Sequence, residues 1–168
     1  MLLWFVGLAM VISWNVFRDP ALDHRLLALG ALLPLLVEAP LGHVGPLHSL
    51  LGAFMVLMAV MVATVGRRRL RRRLLALAIG VFLHLLLDGV WATGDVFWWP
   101  LSGWSFDDTP LPELDRSWGV VLVLEAIGAV ALCWAWFRFG LTDPERRHRF
   151  VHDGRLDRGI TDPAPPGA

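Results

Sequence analysis

Apolar residues run almost without interruption from Met1 to Phe17, Leu26 to Val37, Leu47 to Val65, Leu74 to Trp91 and Trp118 to Gly140, and polar residues collect in the stretches between. A helix needs about 20 predominantly apolar residues to cross a bilayer core. Four of the runs approach that length. The second, Leu26 to Val37, covers only roughly 20 Å at the helical rise, so it requires bilayer thinning, extension through Ala21 and Leu22, or a re-entrant path. The pattern predicts an all-α integral membrane protein, a bundle of about five transmembrane helices over residues 1–141, or four if the second run is re-entrant. Residues 142–168 are charged, end in PAPPGA and are predicted to form a largely disordered cytoplasmic tail.

The breaks are local chemistry. Pro20 interrupts the charged connection Arg18 to Arg25, and Pro40, Gly42, Gly45 and Pro46 forbid a continuous helix after Glu38. The first run lacks a basic leader and a small-residue cleavage site, which predicts a retained helix rather than a removed signal peptide. RRRLRRR, Arg67 to Arg73, follows the third run, and the positive-inside rule makes this loop cytoplasmic. Alternation then puts the segment Ala92 to Ser117 outside and the C-terminus in the cytoplasm. The outer segment carries Asp95, Asp107, Asp108, Glu113 and Asp115 against Arg116. Trp91, Trp98, Trp99, Trp104 and Trp118 gather at that side as an interfacial belt would.

Composition sharpens this reading in three ways. The chain is 56% hydrophobic with mean hydropathy +0.57, too apolar for a soluble domain of 168 residues. Its 15 basic residues, all arginine, balance 15 acids, so nothing suggests nucleic acid as a partner; membrane lipids are the expected surroundings. Cys133 is the only cysteine, which leaves histidines and carboxylates to hold any metal.

Ionisable residues inside apolar runs are costly and therefore informative. His84 and Asp88, in HLLLDG, stand four apart and share one helix face. From the outer end of the fourth helix Asp88 lies roughly 6 Å deep and His84 roughly 12 Å deep; Glu125 lies roughly 10 Å below Trp118. Glu38 and His48 flank the Pro/Gly turn just above this slab. These five residues are the candidate ligands: His48, His84 and Asp88 first, Glu38 as a fourth ligand or general base, and Glu125 from the last helix. Without thiolates such a set suits zinc, with manganese, iron or nickel as alternatives. Metal-assisted hydrolysis, with Glu38 and Asp88 as catalytic groups and Asp95 and Trp91 at the mouth, is the chemistry they point to. His43 reads as a turn histidine, and Asp19, Asp23 and His24 fall on the cytoplasmic side, far from the slab.

LPLLVEAP (Leu33 to Pro40), HVGPLHS (His43 to Ser49), HLLLDG and FWWPLSGW (Phe97 to Trp104) together resemble the bacterial membrane-bound metal-dependent hydrolase family, in the family's order over roughly Leu26 to Trp104. The resemblance implies a multi-span cytoplasmic-membrane protein with a divalent metal and a hydrolase assignment of unspecified substrate. His48, His84 and Asp88 match its pattern. Leu35 stands where the pattern has its first acid, leaving Glu38 to match the second, and Val44 and Leu47 replace an Arg and a Thr between the histidines. A lipid-linked or envelope substrate would follow from a mouth among interfacial tryptophans. Two rival functions use the same residues: an ion- or proton-conducting transporter running through His84, Asp88 and Glu125, and a non-catalytic adaptor recruiting partners through its arginines.

Overall fold

The helices that start at His24, Leu50 and Arg68 begin or end where a side chain or a glycine satisfies the terminus. In the computed structural model, which describes residues 1–92, 94–104, 111 and 115–160, the helices are α1 (Leu2–Phe17), α2 (His24–Glu38), α3 (Leu50–Ala63), α4 (Arg68–Asp88), the single turn α5 (Gly94–Phe97), α6 (Trp118–Arg138) and α7 (Pro144–Asp153). The Asp23 carboxylate accepts from the N–H groups of Arg25 and Leu26 and so caps α2; the Ser49 hydroxyl accepts from Gly52 N–H and caps α3. Gly89, at φ +78°, ends α4 in the left-handed conformation that glycine adopts without strain. Among the described residues the protein is all helical.

The five long helices alternate in direction. Trp4 of α1 donates to the carbonyl of Leu87 near the end of α4, whereas Arg72 and Arg73 at the start of α4 pair with Asp19 and Asp23 in the α1–α2 turn. One end of the bundle therefore gathers the N-terminus, the Glu38–Ser49 turn and the C-terminus of α4. The other gathers the arginines.

Backbones approach closely through glycines. A Cβ on Gly30 of α2 would overlap the Leu77 carbonyl of α4, and one on Gly80 of α4 would overlap the Leu27 carbonyl of α2; Gly7 of α1 and Gly128 of α6 make the equivalent crossing. In hydrocarbon, where burial of apolar surface no longer drives helix association, such small-residue crossings allow the dispersion contact that holds helices together. Phe5, Ala9, Leu27, Ala31, Ala76 and Leu83 fill the core between α1, α2 and α4, while α6 turns Leu122, Val123, Val130 and Phe137 outward. An apolar exterior over a bundle whose backbone groups bond internally is the arrangement a bilayer requires.

Three expectations change. The second apolar run is not the weak one: among the described residues, His24 to Leu41 and α6 are the two helical stretches long and apolar enough to cross a membrane, and α2 lies along α4 from Asp23 beside Arg73 to Ala31 beside His84. The capped start at Asp23 and the helical path through Pro34 supply the length that counting from Leu26 missed. The third run is shorter than read, because Pro46–His48 forms a separate 3-10 turn before α3. The expected disordered tail also fails to describe residues 144–160. Asp143 caps α7, the carbonyl of Gly154 accepts from His24 N–H at 2.8 Å, and Leu156 is buried with its N–H on the Pro20 carbonyl. Residues 161–168 lie outside the described residues, as do Asp107, Asp108 and Glu113 of the segment read as an outer loop.

Candidate metal centre

Glu38 is the anchor of the turn that builds the site. Its carboxylate accepts from Gly45 N–H, Leu47 N–H and His48 Nδ1, each at 2.6 Å, so the chain from Ala39 to His48 is wrapped around one buried acid. Gly45 is needed here because a Cβ would sit 2.7 Å from the Glu38 Oε1. The turn presses His48 inward between α2 and α4, fully buried.

His84 meets it from α4. The His84 Nδ1 donates to the Ala31 carbonyl of α2 at 2.7 Å, one turn from Pro34, whose missing N–H interrupts the α2 hydrogen-bond ladder. Phe5 of α1 stacks on the imidazole, with ring centroids 4.1 Å apart and 26° between planes. Both imidazoles thus have Nδ1 directed at an oxygen that only accepts, which fixes Nδ1–H as the tautomer of each neutral ring. Their Nε2 atoms face one another at 3.2 Å.

Asp88 completes the group. One ligand atom from each of His48, His84 and Asp88 falls within 4.8 Å of the others, and all three residues are buried. Two imidazoles meeting Nε2 to Nε2 beside a carboxylate form a buried His/His/Asp group of the kind that could hold a metal ion. The Arg116 guanidinium lies 3.5 Å from the Asp88 carboxylate and also donates to the Asp88 main-chain carbonyl, closing the end of α4.

The structure therefore brings together His48, His84 and Asp88, and sets two other predicted ligands apart. Glu38, which the sequence suggested as a fourth ligand or base, stands behind His48 with its oxygens accepting from three N–H donors, so it orients the His48 ring. Glu125 pairs with the Met1 amino group at 3.2 Å and accepts from Leu3 N–H at 2.9 Å, tying α6 to α1 outside the group. Equal depth did not bring it to the same face. Trp91 donates to Leu86 and is exposed, Asp95 is exposed, and His43 bonds the adjacent Val44 carbonyl; none joins the group. Asp19, Asp23 and His24 lie at the opposite end of the bundle. Arg116 and the Ala31 carbonyl were missed. The former had a signal in being the sole cation between Ala92 and Ser117; the latter, a main-chain atom, had none.

An apolar cleft of about 520 Å³ is lined by Leu50, Leu51 and Phe54 of α3 and by Phe97, Trp98 and Trp99.

A family model described as the YdjM inner membrane protein matches residues 2–146, all five long helices and both histidines of the centre. The chain belongs to the YdjM inner membrane protein family. No curated protein and no solved structure matches it. Membership makes it a bacterial inner-membrane protein, in agreement with the apolar exterior of the bundle and with the membrane family that the sequence resembles. The YdjM match covers the Glu38–His48 turn, the HLLLDG segment and Arg116 alike.

Proposed function

We propose that the protein is a metal-dependent hydrolase of the inner membrane, with His48, His84 and Asp88 as the metal ligands and an apolar, lipid-linked or envelope substrate. The observation that carries this reading is the facing pair of Nε2 atoms, 3.2 Å apart on rings whose Nδ1 atoms are already committed to Glu38 and Ala31.

The residues fit a divalent ion. Two neutral imidazoles and one carboxylate are the ligand number of catalytic zinc sites, which keep a further position for water or substrate; manganese, iron or nickel would also be accepted by this set. Glu38 behind His48 repeats the carboxylate–histidine arrangement that holds metal-binding imidazoles in orientation and makes them more basic. A bound ion would supply Lewis acidity and a water of lowered pKa.

The protein's own part is positioning and charge. Phe5 and Ala31 fix the plane of His84, and Glu38 fixes that of His48. The Arg116 guanidinium, beside Asp88 and a quarter exposed, is suited to receive an anionic substrate group or the negative charge that develops on an attacked carbonyl or phosphoryl oxygen. The cleft lined by Trp98 and Trp99 would accept the apolar portion of such a substrate. With the arginine-rich end cytoplasmic by the positive-inside rule, the centre belongs to the outer half of the membrane.

The test is turnover in proteoliposomes of lipid-anchored carboxylic-ester, phosphoester and amide substrates after loading with zinc or manganese. We expect one bond class to be hydrolysed by the wild type and not by Asp88→Asn. Folded, metal-loaded protein that turns over none of the three would contradict hydrolysis while leaving metal binding standing.

A further inference from the structure

A second cleft, of about 500 Å³, separates α1 from α3 on the face of α4 away from Ala31. Its walls are almost wholly apolar: Ile12 and Phe17 of α1, Phe54 and Leu57 of α3, and Leu75 and Ile79 of α4 are among them. Ser13, the single polar side chain on the wall, turns its hydroxyl back to the Met10 carbonyl. Both α1 and α3 pack on α4, yet they make no extensive contact with each other. In a membrane such a gap is filled by hydrocarbon, since leaving it empty forfeits the dispersion energy of every atom along its walls. From Leu75 to Leu86 the α4 wall is roughly 16 Å long, the reach of a large part of an acyl chain.

The charge at one end of this cleft decides what kind of lipid fits. The α4 positions that line it, Leu75, Ile79, Phe82 and Leu86, continue at helical spacing into Arg72, Arg71 and Arg68. Arg71 bonds Thr64 at the end of α3, and Arg72 pairs with Asp19 just beyond α1, so these side chains straddle the mouth between the two walls. Arg18 and Arg68 are exposed and have no acidic partner among the described residues. Residues 18–25 and 67–73 together contain eight arginines and two aspartates, Asp19 and Asp23. Both acids are already paired.

We propose that this cleft binds one anionic phospholipid, an acyl chain lying between α1 and α3 and the phosphate held by Arg68 and Arg72 at the arginine-rich end. A zwitterionic headgroup would bring its own cation into the same arginine cluster and lose the net attraction. A guanidinium gives a phosphate two parallel N–H donors, which a general surface potential does not provide. The site is separate from the metal centre and needs no metal.

Native mass spectrometry of delipidated protein in detergent, titrated with phosphatidylglycerol or with phosphatidylcholine of the same chains, reads the proposal directly. Wild type is expected to retain one phosphatidylglycerol at least tenfold more tightly than phosphatidylcholine. The double variant R68Q/R72Q, at two exposed positions, should lose this preference, and Ile79→Trp, which fills the cleft, should weaken both lipids about tenfold. Equal binding of the two lipids by wild type, or a preference that survives R68Q/R72Q, would overturn the assignment of the headgroup. Unchanged binding by Ile79→Trp would overturn the assignment of the chain.

Discussion

The imidazoles of His48 and His84 approach Nε2 to Nε2 at 3.2 Å, one ring braced by the Glu38 carboxylate and the other by the Ala31 carbonyl. At that distance the two nitrogens share a proton or a bound cation. The bracing groups keep either ring from flipping out of this arrangement.

Glu38→Gln tests the brace. The amide keeps the volume but places an N–H₂ group among three N–H donors, so one hydrogen bond is replaced by a donor–donor contact. Loss of such a supporting carboxylate costs about 10–100-fold in metal affinity at comparable sites. Isothermal titration with zinc should give that weakening with the stoichiometry unchanged. A stoichiometry that falls to zero in a folded Glu38→Gln protein would make Glu38 a ligand.

Glu125→Gln should behave differently. Its carboxylate ties Met1 and Leu3 to α6 and does not reach the centre. Metal content should equal that of wild type, with stability lowered by no more than about 1 kcal/mol, since the pair is partly solvated. Elemental analysis beside thermal unfolding in detergent separates the two effects. Lost metal would return Glu125 to the ligand set.

Gly30→Leu strikes the α2–α4 crossing on which Ala31 and His84 depend. A side chain here must displace the Leu77 backbone, and overpacking of a close-packed interior costs typically about 1–3 kcal/mol and more where backbone must shift. Thermal unfolding should fall sharply, and metal affinity with it as Ala31 moves away from His84. An unfolding temperature equal to wild type would mean that the crossing is looser than the structure has it.

At the other end of the bundle, Asp23 governs acid stability. Burial alone would raise its pKa, but hydrogen bonds and charge from Arg73 and Arg25, with the Leu26 N–H, outweigh burial and hold it below the ordinary carboxylate value; Asp19 is lowered likewise through Ala21 N–H and Arg72. A depressed carboxylate contributes stability that is fully present above its unfolded-state pKa, about 3.9, and is lost as pH falls through the lower folded value. Stability should therefore decline below about pH 4, and Asp23→Asn, which keeps the capping oxygen but removes the pairs with Arg25 and Arg73, should lower it at neutral pH by about 1 kcal/mol while flattening the acid limb. Unfolding temperatures measured between pH 7 and pH 3 would check this; parallel curves for the two proteins would contradict it.

What could be read from the sequence follows the range of each interaction. His84 and Asp88 are legible because i,i+4 spacing on a helix is local geometry, and the alternation of five apolar runs is legible because it needs only length and hydropathy. Glu125 misled because rise gives depth while saying nothing about rotation, and its face turns to Met1. Glu38 was recognisable as an acid near the site; its work as the post around which Gly45, Leu47 and His48 fold depends on a turn that the Pro/Gly pattern announces without specifying. The α7 segment was hidden for another reason. Its composition is that of an unstructured tail, and its order comes from contacts with His24 and Pro20, 130 and 136 residues earlier in the chain.

Metal content decides the central claim. Elemental mass spectrometry of detergent-purified protein, incubated with zinc, manganese, iron and nickel and desalted, should give about one equivalent of one of them in the wild type. His48→Ala, His84→Ala and Asp88→Ala should each lose it while remaining folded by circular dichroism. Folded wild-type protein that holds none of the four ions, or alanine variants that retain the full equivalent, would contradict the account and leave His48 and His84 as a proton-sharing pair.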